Sequence, residues 1–285
     1  MSGRLSLVRH ASIDAFLDDA GPFLVAREAE HCLILGVAAA VRASPPAPDD
    51  TRPYLAVVRD RDRVVAVAFQ TPPWQLALSE VDDPAALDLI VADRRDLPFE
   101  QVVGPAEDVG AFADRWGAAA GVAHRLTMRE RIHRLTSVIP PRHAGGRMRL
   151  AVSPDRDLLR VWLADFHLEA LPHEPLPDVD GLIERWLTPG GVSTTFVWDD
   201  DGPASFARTT GPTPHGIRIG PVYTPPERRG RGYASNLVAE MSARELVSGR
   251  QAVFLFTDLA NPTANHIYAT IGYQPVRDMN QYRFD

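Results

Sequence analysis

Apolar side chains recur along this chain with two periods, and the switches between them mark out its elements. Helical spacing runs through "ASIDAFLDDAGPFL" (11–24) and "HCLILGVAAAVRA" (31–43) and stops at the proline-rich "SPPAPDDTRP". Two β-branched runs around a charged Arg-Asp turn then predict a hairpin over 54–69, with "WQLALS" (74–79) as a third strand. A helix over 84–92, a strand over 100–104, a helix over 109–119 and a β-rich tail over 131–138 complete the order ααβββαβαβ.

The paired prolines and glycines of "IPPRHAGGR" (139–147) read as a linker, after which the order starts again. "MRLAV" (148–152) is a strand, and 157–171 and 180–187 are helices. A second hairpin spans 192–209 with an Asp-Asp-Asp-Gly turn, and a strand follows over 216–224. A helix (232–248), a strand (252–258), a helix (263–271) and closing strands at 273–276 and 280–284 end the chain. The two hairpins lie roughly 140 residues apart, which points to an internal repeat of domain size. The expected division is 1–138, a linker at 139–147, and 148–285, each half an α/β sheet flanked by helices.

Composition fits this reading. A chain of 285 residues and 31.3 kDa has room for two domains, and 45% hydrophobic with 24% charged residues is a globular balance. The single cysteine, Cys32, excludes an intrachain disulfide and a multi-thiolate metal site. The N-terminus lacks an apolar core with a cleavage signal, and "CLILGVAAAV" is half a membrane span, so a cytoplasmic location without membrane partners is expected. All 30 basic residues are arginine, which removes lysine from the possible catalysts. A net charge of −7 speaks against nucleic-acid binding, so any phosphate site must be local and geometric.

One stretch suggests such a site. In "GPVYTPPERRGRGYASNLVAEM" a strand is stopped by Pro225 and Pro226, and a helix with Ala234, Leu237, Val238 and Met241 on one face starts near Gly232. Gly230 and Gly232 let an anion approach the backbone closely, and the helix start aims N–H groups at it. Each such bond to a phosphate oxygen contributes roughly 1.5–3 kcal/mol. A P-loop needs Gly-Lys-Ser/Thr, and a dinucleotide fingerprint needs glycine or alanine at Ser235; neither is present. A disordered RGG segment does not lead into an amphipathic helix, so a basic turn capping a helix is the plain alternative.

"RGRGYA" (229–234) resembles the Arg/Gln-x-x-Gly-x-Gly/Ala signature of GNAT N-acetyltransferases, and "NPTANHIYATIGY" (261–273) resembles the second coenzyme A motif of that superfamily. The motifs come in the family's order, with one strand between them. The resemblance covers about 147–285; the first half is similar only in element order and lacks both motifs, as a degenerate copy would. It implies two tandem GNAT-like domains, each a mixed, mostly antiparallel α/β (α+β) sheet flanked by helices. It also implies acetyl-CoA (coenzyme A) in a gap between the strands at 216–224 and 252–258. Val222 and Thr224 would offer unpaired backbone groups to its pantetheine arm. Arg229, Gly230, Arg231, Gly232, Tyr233, Ala234 and Ser235 would hold the pyrophosphate through backbone N–H groups, and Asn261 and Asn265 would supply side-chain amides. A plain helix N-cap before Pro262 explains Asn261 equally well.

The implied reaction is acetyl transfer to a primary amine by direct attack. Tyr268 occupies the family's general-acid position, and a phenol of pKa about 10 is nearly matched to a thiolate of about 8.5. For the base, Glu169 is the choice within "FHLEALPHEP", beside His167, His173 and Glu174; Asp258 and a water relay remain open. The histidines lack zinc-motif spacing. The acidic Glu169, Glu174, Asp178 and Asp180 hint at a cationic small-molecule amine, and either a monomer or a homodimer is compatible with the pattern. The rival reading is a non-catalytic acyl-CoA-binding regulatory or scaffold protein.

Overall fold

Strands with apolar side chains on both faces need a helix layer on each side, and this demand organises the chain twice. A computed structural model describes residues 5–43, 52–97, 99–171, 174, 176–188 and 193–285. Its contacts divide the chain into two units, Met1–Ile132 with Val276–Asp285, and His133–Pro275.

The first unit runs β1 (Leu5–Arg9), α1 (Ile13–Ala26), α2 (Cys32–Arg42), β2 (Tyr54–Asp60), β3 (Arg63–Gln70), β4 (Leu76–Leu78), α3 (Ala86–Arg94), β5 (Gln101–Pro105), α4 (Ala106–Ala120) and β6 (His124–Leu135). The same ten-element order returns as β7 (Arg147–Leu150), α5 (Arg156–Ala170), α6 (Val179–Leu187), β8 (Thr195–Asp199), β9 (Pro203–Thr210), β10 (Gly216–Tyr223), α7 (Tyr233–Val247), β11 (Ala252–Asp258), α8 (Pro262–Thr270) and β12 (Gln274–Phe284). Each copy has a parallel pair, β4 with β5 and β10 with β11, flanked by an antiparallel neighbour, β3 and β9 respectively.

Alternation explains the layers. On β2, Tyr54, Ala56 and Val58 face α3 and α4, with Leu87, Ile90 and Phe112, whereas Leu55 and Val57 face α1 and α2, with Phe16, Leu24 and Leu35. On β8, Phe196 and Trp198 face α7 and α8, while Val197 faces α5 and α6.

Three expectations are corrected. The chain begins with an edge strand, β1, that pairs antiparallel with β2; its few, half-buried apolar positions carry little pattern. The tail expected at 131–138 is a longer strand, β6, whose polar first half hid it. The residues expected as two closing strands form one strand, β12, and 279–283 pair antiparallel with β5, from Met279↔Pro105 to Arg283↔Gln101. Sheet order in the first unit is thus β1-β2-β3-β4-β5-β12-β6; in the second, the end of β6 is followed by β11-β10-β9-β8-β7. Residues 139–147 lie in the second unit, where Trp198 Nε1 donates to the Gly145 carbonyl at 2.8 Å. Most of the proline-rich loop, 44–51, lies outside the described residues.

His31 ties the first unit together. Buried and stacked on Phe23, it donates from Nδ1 to the Leu24 carbonyl at 3.0 Å and accepts the Glu80 N–H on Nε2 at 3.3 Å. That pattern requires the neutral ring, and burial lowers its pKa to about 4. Its contribution is therefore full above the unfolded value near 6.5 and is lost as pH falls toward about 4, by roughly 3 kcal/mol. Urea unfolding across that window is expected to show a steeper acid loss in the natural chain than in His31→Gln; parallel curves would exclude the linkage.

Candidate functional site

The second unit contains a break in its own sheet. Strands β10 and β11 pair in parallel from Gly216↔Ala252 to Arg218↔Phe254, and there the ladder ends, although the strands run on to Tyr223 and Asp258. At the same level β10 carries a bulge against β9: the register steps from Ile219↔Thr209 to Val222↔Ala207, so Gly220 and Pro221 oppose Arg208 alone. The extra residue reverses the faces. Ile217 and Ile219 pack toward α7 and α8, whereas Tyr223, of the same parity, packs toward α5 with Trp162.

Beyond β10 the chain makes a 3₁₀ turn at Pro226–Arg228 and enters α7 through Gly230 (φ 76°) and Gly232 (φ 82°). Both glycines are exposed with left-handed backbones, which disfavours any side chain there. No side chain caps α7, so the N–H groups of its first turn stay open toward the loop. Asn236 steadies the bend from inside, giving Nδ2 to the carbonyls of Gly232 at 2.9 Å and Arg142 at 3.0 Å. Tyr233 is anchored, its hydroxyl donating to Asp200 Oδ2 at 2.6 Å; Ala234 and Ser235 are half-buried in the first turn, and Arg231 is exposed.

Two details of the expected loop change. The Arg229 N–H donates to the Pro226 carbonyl at 3.2 Å, because the 3₁₀ turn uses it, so the available N–H groups begin at Gly230. The Thr224 carbonyl is not free either: it accepts Arg229 Nε at 2.9 Å. Val222 is in register with Ala207.

Arg229 also reaches the expected base. Its Nη2 meets Glu169 Oε2 at 2.6 Å, its guanidinium lies 5.7 Å from the Tyr223 ring centroid, and Tyr223 donates to Glu169 Oε1 at 3.3 Å. Both carboxylate oxygens are thus engaged. Burial, and then the Glu169 charge, push the Tyr223 phenol up to about 12. His167 is buried and donates to the Glu174 carbonyl at 3.0 Å; burial raises the Glu174 pKa. His173 lies outside the described residues.

Of the four acidic residues expected to favour a cationic acceptor, Glu169, Asp178 and Asp180 have structural partners. Asp178 caps α6, accepting the Gly181 N–H at 3.0 Å, and Asp180 is paired with Arg160. Asp258, the alternative base, accepts the Ala260 N–H at 2.8 Å.

On α8, Asn261 is the N-cap, its Oδ1 accepting the Ala264 N–H at 3.0 Å, with Pro262 as first helical residue. Asn265 binds the helix to the end of β11: Nδ2 donates to the carbonyls of Asp258 at 3.0 Å and Asn261 at 2.8 Å. Its Oδ1 accepts Thr257 Oγ1 at 2.6 Å, and since that hydroxyl proton is thereby committed, His133 Nε2, 3.1 Å from Thr257 Oγ1, is the donor to it. Both amide hydrogens of Asn265 are therefore in use. Tyr268, one turn on, is buried with its ring edge against Tyr273 at 5.9 Å; burial pushes its phenol up to about 12, and its hydroxyl has no hydrogen-bond partner among the described residues.

The first unit has the same elements but no such break. After Leu76↔Val102 and Ala77↔Val103, a Cβ built on Gly104 would stand 3.1 Å from Leu78 Cβ, so β4 and β5 stay packed. The loop at 79–85 has no glycine, and Asp108 Oδ2 on α4 accepts the Val81 N–H at 3.4 Å.

Known structures share this fold. A Drosophila melanogaster protein solved by structural genomics matches with a TM-score of 0.68 and 11% identity, over 100% of this chain and 99% of its own. A GCN5-related N-acetyltransferase from Sphaerobacter thermophilus gives 0.58 and 19%, over 97% and 95%. A tandem GNAT protein from the clavulanic acid biosynthesis pathway, solved without AcCoA, gives 0.56 and 16%, over 99% and 98%. No curated protein matches the sequence. The fold is that of the tandem GNAT proteins. Residues 212–283, from just before β10 to the penultimate residue of β12, match the FR47-like protein family.

Three residues here escaped the sequence reading: Thr257, His133 and Arg208. Thr257 and His133 sit in strands where nothing distinguishes them from ordinary core positions. Arg208 left one sign, an arginine at an inward position of an alternating strand. Replacing Asn265 by Ala is expected to cost roughly 2–4 kcal/mol in urea unfolding of the second unit, because three side-chain hydrogen bonds disappear at once. A cost below roughly 1 kcal/mol would show that α8 is held by its apolar contacts alone.

Proposed function

We propose that the chain is an acetyl-CoA-dependent N-acetyltransferase that acetylates a primary amine of a small molecule or peptide by direct attack in a ternary complex. The observation that carries this reading is the end of the β10–β11 ladder at Arg218↔Phe254, in front of a glycine-led helix start with no side-chain cap. The residues suit the cofactor. Parted strands leave main-chain groups for an amide-bearing arm, and the N–H groups of 230–235 suit a diphosphate, helped by the helix dipole.

Bound there, acetyl-CoA supplies an activated acetyl thioester to the amine. Val222 and the Thr224 N–H orient the arm, and Gly230, Arg231, Gly232, Tyr233, Ala234 and Ser235 hold the phosphates through their backbone. Asn261 and Asn265 act by fixing α8 and hence Tyr268. Tyr268 is the general acid: burial keeps its phenol protonated through the neutral range, and its hydroxyl is free to donate. Glu169 takes a proton from the acceptor's ammonium, directly or through water, and the neutral amine so formed attacks the thioester carbonyl. A diphosphate at the loop competes for Arg229, the cation that now holds Glu169 at 2.6 Å, so cofactor arrival loosens the base.

Because the Tyr268 hydroxyl bonds no described protein group, Tyr268→Phe is expected to keep its thermal midpoint and acetyl-CoA affinity while kcat falls about 10²- to 10⁴-fold. Thiol release over an amine panel and calorimetry read both quantities. Unchanged turnover would remove Tyr268 as the acid; tight acetyl-CoA binding with no thiol released on any amine would favour the scaffold reading instead.

A further inference from the structure

The α5–α6 side of the second unit carries a half-buried cation, Arg208. Glu169, Asp178 and Asp180 all have partners in the protein. Arg208 on β9 has no acidic partner among the described residues. It is half-buried, its one hydrogen bond runs from Nη1 to Thr195 Oγ1 at 2.7 Å, and its guanidinium lies 4.8 Å from the Trp186 ring centroid on α6. Burial alone lowers its pKa to about 10, no carboxylate among the described residues raising it, and it stays cationic at neutral pH.

Its position is specific. Arg208 is the single β9 residue opposite the Gly220-Pro221 bulge, next to the point where β10 and β11 part. Through Trp186 it shares the α5–α6 face with Phe206 and Tyr223, and so the side on which Tyr223 meets Glu169. A guanidinium has five donors in a planar fork, and here one is used. A half-buried cation without a counter-ion is costly to keep, and a carboxylate delivered by a ligand would match the fork in two parallel hydrogen bonds.

We propose that Arg208 is a specificity residue that binds a carboxylate on the acceptor, so that the amine acetylated is borne by an α-amino acid or a similar amino-carboxylate. This rests on the acetyltransferase reading for the word acceptor, but the anion subsite itself does not. Trp186 and Thr195 act as positioning residues that hold the guanidinium plane.

The test reads the subsite without turnover. The Nε–Hε resonance of Arg208, assigned by its loss in Arg208→Gln, is followed while α-amino acids, their decarboxylated amines and their carboxamides are titrated into the full chain; alanine, ethylamine and alaninamide form one such set. The expected result is a saturable shift with the amino acids alone, and aminophosphonates distinguish a carboxylate-specific fork from a general anion site. No shift with any amino acid, equal shifts with the matched amines, or a response to phosphonate alone would overturn the proposal. In turnover, kcat/KM for amino acid over decarboxylated amine should fall about 10- to 100-fold in Arg208→Gln, with partial rescue in Arg208→Lys. An unchanged ratio would also overturn it. A shift with amino acids in a protein that releases no thiol would leave the anion subsite standing and remove the acetyltransferase reading, whereas efficient acetylation of amines without a carboxylate would do the reverse.

Discussion

The second unit depends on one interruption: a parallel ladder of three residue pairs that stops while both strands continue. The bulge at Gly220-Pro221 sits at that level, and Pro221 has no N–H to offer a neighbouring strand. Beyond it, backbone groups that a sheet would normally pair become available for something else. The same bulge moves Tyr223 to the opposite face from Ile219, which is how a strand residue comes to meet Glu169 on α5. The helix that follows is aimed by its two glycines and not by a capping side chain.

Comparison of the two units shows how little is needed to lose such an opening. The order of elements and a parallel pair are shared. In the first unit, though, Gly104 lets β5 pack against Leu78, and Asp108 occupies the N–H of Val81 just past β4. The polar group that a ligand would satisfy in one unit is satisfied internally in the other. Architecture therefore does not confer chemistry; the local departure from regular pairing does.

Charge is distributed by the same logic. Around the proposed site most ionic groups hold one another: Arg229 with Glu169, Arg160 with Asp180, and Arg149 with both Asp155 and Asp199. The Arg149 pairs lower both aspartate pKa values, mainly through its side-chain hydrogen bonds at Asp199 and against the opposing effect of burial at Asp155. Arg208 has no such carboxylate among the described residues, and its support is a hydroxyl and an indole face.

The repeat, both hairpins, α7 and its glycine bend, and the cap at Asn261 were legible in the amino-acid order, because each is a local matter of period, turn chemistry or backbone freedom. The edge strand β1 and the polar half of β6 were not, since their partners, and not their own side chains, make them strands. The seat of β12 beside β5 was illegible for the same reason: register with a strand some 180 positions earlier leaves no trace in local spacing. The engagement of Glu169 by Arg229, the closed hydrogen bonding of Asn265 and the unmatched Arg208 were decided only in three dimensions. A side chain's chemistry depends on which other polar groups reach it, and that is a property of packing, not of sequence neighbours.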